Sequence, residues 1–472
     1  MPDDTSLLID LGGQGCLALV VDDHGQTVFQ ARRDLCTRED GACIEQDPEA
    51  VITATQSLVD EAVTAMTAAR RPIVRAALAV QRGSVVCWDR PTGAALSPVL
   101  SWRDRRTLAG PDHLAAHAEA IRQRTGLRFS PYAGAPKIAW CVTELPAVRS
   151  ARDRGRLVCG PLGSFVLARL LDGGPALVDR TLAQRTLLWS HRHSDWDPWL
   201  LDRFGLTPDI LPTLVASRTA YGLLRSGEQR IPLQLLSGDQ NCLPFLHGQP
   251  DSSTLYINLG TGAFLLRPLL FPVDDERFQC SLLDEGNGGF WALEASVHGA
   301  ASALNWLAHE HDVRIPHERW DELRQGIQTP PLFLNCIDGL GSPWWKAGAG
   351  SAFVHARERG GDPPEALLLA VLESIAFLIR ANAEAMAERI GPPQRVVVCG
   401  GLSRSDSLCK LIADVLHSDL QRLRAVEGTA LGLWCRLQDQ ALDSAHFEPI
   451  GCKASAALEQ RYRQWLPKIE QC

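Results

Sequence analysis

One short phrase occurs twice in this chain. Ile9-Asp10-Leu11-Gly12-Gly13 near the start is echoed by Ile257-Asn258-Leu259-Gly260-Thr261-Gly262 past the midpoint. In this register Ile9 matches Ile257 and Asp10 matches Asn258. Each copy is an apolar stretch that runs into a Gly-rich turn. Each turn gives way to a second apolar run, Cys16 to Val21 and Ala263 to Leu266. The pattern predicts two strand–turn–strand hairpins, one per half. A single Gly-rich turn is what an ordinary hairpin needs. Two matched turns predict a duplicated fold whose turns face each other and grip phosphate, because glycine lets backbone N–H groups approach an anion closely.

Length and charge narrow the choices further. At 472 residues the chain exceeds one core, so two or three domains are expected. The formal net charge of -8 offers no attraction for nucleic acid or an anionic membrane surface. Met1-Pro2-Asp3-Asp4-Thr5 has no basic n-region, so no signal peptide is visible. No apolar run reaches the ~18 residues that span a bilayer, and a cytoplasmic location is the expectation. The fourteen cysteines stand singly, without Cys-x-x-Cys pairs or Cys/His clusters at ligand spacing, which predicts reduced thiols. His191-Arg192-His193-Ser194-Asp195 has no further ligand at a recognisable spacing and reads as a solvated loop.

Periodicity predicts the frame. Residues 7–35 read as a hairpin turned at Asp22-Asp23-His24-Gly25, and Gln46 to Arg70 as a helix. Ile73 to Val80 and Ser84 to Asp89 read as strands. Helices are expected at 113–124 and 136–144, then a loop-rich segment from Pro146 to Gln234 with several short helical stretches. Gly248-Gln249-Pro250 marks the start of the second half. There, Glu294 to Glu310 reads as a helix, Pro363 to Ile390 as the longest helix, and Arg395 to Cys399 as a strand ending in Gly400-Gly401. Helices follow over 406–416 and 428–437. Strand, Gly-Gly turn and helix is a further nucleotide-facing arrangement.

Asp239 carries the sharpest chemical hint. It follows the small-residue turn Ser237-Gly238 and precedes an apolar stretch. A carboxylate there can take the proton of a hydroxyl that attacks phosphorus, a role worth about 10²–10⁴-fold in rate. The same position suits a helix cap, and the two uses are compatible.

Five separated motifs resemble the FGGY carbohydrate kinases: Asp10-Leu11-Gly12; Trp102-Arg103-Asp104-Arg105-Arg106-Thr107; Ser237-Gly238-Asp239-Gln240; Asn258-Leu259-Gly260-Thr261-Gly262; and Cys399-Gly400-Gly401-Leu402-Ser403. Between them, Ala292-Leu293-Glu294 with Asn305-Trp306-Leu307, Gly339 to Trp345, and Leu372 to Ala376 sit where that family has similar strings. Gln81-Arg82 followed by Val85 to Asp89 is most similar to glycerol kinases.

The resemblance implies an α/β fold of two duplicated ribonuclease H-like domains, the superfold of sugar kinases, actin and the heat-shock ATPases, with a cleft between them. The boundaries expected are 1–247 for the acceptor and first phosphate loop, and 248–472 for nucleotide binding with a C-terminal extension. ATP and Mg²⁺ are the implied cofactors. Asp239 is the implied catalytic base, and Asp10 and Asp239 the implied metal ligands. Gly12, Gly13, Thr261, Gly262, Ala301, Asn305, Gly400, Gly401 and Ser405 would hold the nucleotide. Arg82, Trp102, Tyr132, Asp239 and Gln240 would hold a small polyol or sugar. A homodimer is the candidate assembly.

The sequence also departs from that family. The first loop reads Gly13-Gln14-Gly15-Cys16-Leu17, where relatives carry hydroxyl residues and a basic one. Gly83 stands where glycerol kinases carry a Glu, which removes charge-assisted hydrogen bonds and favours an acceptor longer than glycerol. Restoring Glu there is expected to improve glycerol use unless Gly83 has positive φ. Lys410 stands where many relatives have Gln. The alternatives are a kinase for a ketose such as xylulose or ribulose, and a degenerate kinase that binds nucleotide or sugar as a sensor. An actin-like ATPase would leave Arg82 and Trp102 without a use.

Overall fold

The computed structural model describes residues 4–107, 112–130, 132–286, 289–320, 322, 329–348, 350–354 and 361–472. The first sheet is built from β1 (Thr5–Leu11), β2 (Gly15–Asp22), β3 (Thr27–Asp34), β4 (Ile73–Val80), β5 (Arg218–Ser226) and β6 (Gln229–Gly238), in the spatial order β5-β6-β4-β1-β2-β3. The second uses β7 (Thr254–Leu259), β8 (Ala263–Leu269), β9 (Gln279–Asp284), β10 (Phe290–Val297), β11 (Arg395–Cys399), β12 (Leu420–Leu423) and β13 (Phe447–Ile450), in the order β9-β10-β8-β7-β11-β12-β13.

The two sheets repeat one plan. β1 and β7 each open an antiparallel hairpin. A third antiparallel strand lies beyond it, β3 or β10. On the other side each pairs in parallel with β4 or β11, which pairs in parallel with β6 or β12. An antiparallel strand closes that edge in each, β5 or β13. The duplicated phrase therefore marks a duplicated topology. Asp10 and Asn258 occupy the same place, one residue before the end of the first strand of each sheet.

Parallel registers align the strand ends that matter. Leu11 pairs with Val80, and Val80 with Gly238, so Gly12, Gln81 and Asp239 leave the sheet side by side. In open sheets of this kind, ligands bind at the carboxyl ends of such strands.

The helices follow the apolar stripes. α1 (Pro48–Ala68) starts with Asp47 accepting from Glu49 N and Pro48 in the first turn, and buries Val51, Leu58, Val59, Ala62 and Met66 against the first sheet. Each large side chain so buried stabilises by about 1.5–3 kcal/mol. α2 (Gly134–Glu144), α3 (Ala301–Glu310), α4 (Pro364–Ile390), α5 (Asp406–Leu416) and α6 (Gly428–Gln438) are the others that bear on the site. α4 is long and apolar enough to cross a membrane by length and composition, yet 89% of its most apolar window is buried inside the protein. α6 comes from the second half but packs against β1, β4 and the short 3-10 helix Asp239–Phe245. One apolar cluster, with Leu8, Leu17 and Leu243 from the first half and Tyr256, Val397 and Leu433 from the second, joins the halves.

Three expectations are corrected. Glu294 to Val297 belongs to β10, and the helix begins only at Ala301. β10 is buried on both faces, so its sequence shows no alternation. The segment 146–234 has the short helical stretches expected but more strand than expected. It holds helices Pro146–Asp153 and Leu162–Leu170, a strand Leu157–Pro161, and the β5–β6 hairpin. Pro232 disguises β6, but the parallel pairing with β4 starts at Leu233 and needs no N–H from the proline. The helix over 113–124 is two pieces, Asp112–Ala115 and Ala118–Thr125.

Candidate active site

Asp239 leads the 3-10 helix that leaves β6, between the two halves. Its Oδ1 accepts from Gln240 N at 2.8 Å and lies 3.5 Å from Arg82 Nε. Burial raises its pKa, and Arg82 only partly offsets that. The group is thus a better proton acceptor than an ordinary aspartate. From behind, Arg436 of α6 donates to Ser237 at 2.6 Å. Gln240 extends the connection, accepting from Asn258 Nδ2 at 2.9 Å. Asp239 is thereby linked to the second copy of the repeated phrase.

Asp10 lies on the same side. Burial pushes its carboxyl up to about 7, and the negative charge of Asp239 adds to the rise. A carboxyl raised by burial and by a neighbouring carboxylate gains from a nearby cation. Among the described residues no group of three or more His, Cys, Asp or Glu is placed to hold a metal. A two-carboxylate site matches Mg²⁺, which keeps several waters and arrives with phosphates. His191 is tied instead to Gln123 O at 3.0 Å.

The first glycine turn is fixed by amides. Gln81 donates to Gln46 at 2.9 Å, and Gln46 donates to Gly13 O at 2.9 Å. A Cβ on Gly13 would stand 3.3 Å from both Gln81 Oε1 and Trp102 Nε1. The turn therefore borders Trp102. The second turn is closed by α3, whose amides at Ala301 and Ser302 donate to Gly260 O and Thr261 O at 3.2 and 3.0 Å. Thr261 is exposed, Gly262 half-buried, and Asn305 exposed one helical turn beyond Ala301. At the third turn Gly400 has φ +90°, and a Cβ there would lie 2.6 Å from Leu259 O. Only glycine fits. Gly401 is open to solvent, whereas Ser405 is buried and its hydroxyl caps α5 by accepting from Leu408 N. Ser405 stands behind this turn.

Trp102 and Tyr132, the residues expected to hold an acceptor, are 38% and 41% exposed, so neither is a core residue. Arg82 is more committed than the sequence implied. Its Nη1 and Nη2 donate to Glu294 at 2.7 and 2.8 Å. Arg185 donates to the same carboxylate at 2.5 Å, and Ser281 at 2.8 Å. Burial alone would raise the Glu294 carboxyl, but Arg185 and Arg82 outweigh it and hold it at about 2. Sequence reasoning placed Glu294 on a helix and missed this role. It also missed Arg185, which lies in the segment read as loops.

Lys137 was missed as well. This fully buried residue of α2 donates to Gly83 O at 3.0 Å, Ser101 O at 2.7 Å and Tyr132 O at 2.9 Å. It ties together the three segments that carry Arg82, Trp102 and Tyr132. A lysine on the inward stripe of a predicted helix was the available signal. Asp104 shapes the same wall, accepting from Ile44 N at 2.7 Å and pairing with Arg106 at 2.8 Å. Gly83 has φ +79°, and a Cβ there would meet Tyr132 O at 3.3 Å. The expected benefit of a Glu at this position is therefore countered by backbone strain.

Residues 5–241 match the family model of the FGGY carbohydrate kinases' N-terminal domain, and residues 255–435 that of their C-terminal domain. A glycerol kinase of Trichlorobacter lovleyi is 31% identical over 90% of this chain and 88% of its own length. One from Koribacter versatilis is 28% identical over 98% of both. Among solved structures, Plasmodium falciparum glycerol kinase with ADP superposes with a TM-score of 0.86 at 21% identity, covering 100% of this chain and 98% of that one. Xylulose kinase from Rhodospirillum rubrum gives 0.86 at 20% identity, covering 99% and 98%.

Proposed function

The chain belongs to the FGGY family of carbohydrate kinases and is an ATP-dependent phosphotransferase, and we propose that its acceptor is a small polyol or ketose bound against Trp102 and Tyr132. One observation carries the reading. Asp239 is half-buried, with its pKa raised by desolvation, at the strand end flanked by the first glycine turn and Arg82.

In this reading the acceptor hydroxyl lies against Asp239. Its oxygen attacks the terminal phosphorus as Asp239 takes the proton. Gln240 holds the carboxylate in orientation. Backbone N–H groups of Gly12 and Gly13 face the phosphates from one side, and those of Thr261 and Gly262 from the other. Ala301 and Asn305 flank the nucleotide, and Gly400 and Gly401 take the adenosine. Asp10 and Asp239 would hold Mg²⁺, which neutralises charge on the phosphates when bound. We place the domain boundary at 247/248, between the 3-10 helix and β7, and the protein in the cytoplasm.

A four- or five-carbon acceptor is favoured over glycerol. Gly83 leaves no side chain beside Trp102. Coupled ADP release with glycerol, erythritol, xylulose and ribulose tests this. Highest kcat/KM on erythritol or a ketose is expected. Preference for glycerol would overturn the acceptor assignment, and no ADP release with any of them would overturn turnover on this acceptor class.

A further inference from the structure

Strand alternation sends Arg32 to the cleft. Its neighbour Arg33 points the other way, to α1, where it pairs with Glu61 at 2.5 Å. Gln30 lies on the same face as Arg32. It donates to Glu427, the residue at the start of α6 in the second half, at 3.3 Å. Register sets Arg32 opposite Leu17, and Leu17 opposite Asp10. Asp10, Leu17 and Arg32 thus form one row across three strands, about 5 Å per step.

The Arg32 guanidinium lies over the first glycine turn. A Cβ on Gly15 would stand 3.2 Å from its Nη2 and 3.3 Å from its Nε. Arg32 is also a positive charge that acts on Asp10, against the negative charges of Asp239 and Glu427. Its ion pair with Asp34, at 3.3 Å, joins side chains 60% and 89% exposed, a kind that holds a residue only weakly. Arg82 and Arg185, by contrast, are both engaged by Glu294.

The turn itself offers no cation: Gly12-Gly13-Gln14-Gly15-Cys16 has neither a basic nor a hydroxyl side chain. Phosphoryl transfer needs positive charge on the migrating group. Gly13 borders Trp102, so this turn lies at the acceptor end of the cleft. We propose that Arg32 supplies that charge, binding the terminal phosphate of the nucleoside triphosphate over the first glycine turn. The inference rests on the kinase reading above. In the step it serves, the acceptor oxygen forms the new bond to phosphorus and its proton passes to Asp239. The bond from that phosphorus to the bridging oxygen breaks, and ADP leaves with the electron pair. Arg32 stays charged throughout.

Calorimetric binding of Mg²⁺-AMP-PNP and Mg²⁺-ADP to the full chain tests it, alongside turnover. Arg32→Ala should weaken AMP-PNP by ~10-fold or more, the loss of one charge-assisted hydrogen bond, and leave ADP within about twofold. Arg32→Lys should restore part of the loss, since the point charge remains but the fork does not. Asp34→Ala should change neither affinity. Unaltered AMP-PNP affinity in Arg32→Ala overturns the proposal. So does equal loss of both nucleotides, or the same loss in Asp34→Ala. The binding readout stands apart from catalysis. A wild-type chain that binds AMP-PNP but releases no ADP fails the turnover reading alone, while one that binds neither nucleotide fails both.

Discussion

The carboxylate of Glu294 receives the Arg82 guanidinium through two hydrogen bonds, of 2.7 and 2.8 Å, although the two residues come from opposite halves of the chain. Arg185 adds a third contact, so one carboxylate from the second half orders two arginines from the first. The two halves meet here in a buried ionic joint. Arg82 is held beside Asp239 by it.

That joint predicts a signature in acid. The folded Glu294 carboxyl, at about 2, lies below its ordinary 4.5. The folded state therefore binds fewer protons than the unfolded state between these values. The contribution is complete above pH 4.5 and is lost as pH falls toward 2. It amounts to about 3 kcal/mol. Urea unfolding of the wild type from pH 6 to pH 3 should show part of that loss. Glu294→Gln should be less stable by about 3–5 kcal/mol at pH 6, because two buried arginines lose their counter-charge, and its stability should vary less with acid. A variant as stable as the wild type would show that the joint carries no load.

Lys137 predicts a selective effect on the acceptor. Lys137→Met keeps length and apolar bulk but removes the donors to Gly83, Ser101 and Tyr132. Steady-state kinetics should show acceptor KM raised ~10-fold and ATP KM raised much less, because all three carbonyls that Lys137 holds belong to the segments carrying Arg82, Trp102 and Tyr132. Equal rises in both KM values would mean general loosening of the fold.

Gly83 predicts a cost. Gly83→Glu must adopt φ +79° against Tyr132 O, a strain of about 1–3 kcal/mol. Thermal unfolding should begin at lower temperature, and turnover on glycerol should fall. An unchanged melting temperature with improved glycerol kinetics would reverse that conclusion.

Much of this was legible in the sequence because it depends on local chemistry. The paired phrases gave both hairpins, since glycine turns and apolar strands are specified over a few residues. Asp239, Asp10 and the three glycine turns also lie within short motifs. Glu294, Arg185 and Lys137 were not legible as residues that shape this region. Each acts through a contact far away in sequence: Glu294 meets Arg82 across 212 positions, and Lys137 meets Gly83 across 54. Burial on both faces hid β10, and Pro232 hid β6, the strand that delivers Asp239. What was missing was tertiary pairing, which no local pattern encodes.

The central claim is that Asp239 accepts the acceptor's proton in phosphoryl transfer. Asp239→Asn preserves size and most hydrogen bonding but cannot take that proton. Measured by coupled ADP release on the best acceptor found, its kcat should fall at least ~100-fold, with Mg²⁺-AMP-PNP affinity nearly unchanged and thermal stability retained. A folded Asp239→Asn enzyme with near-normal kcat would contradict the account.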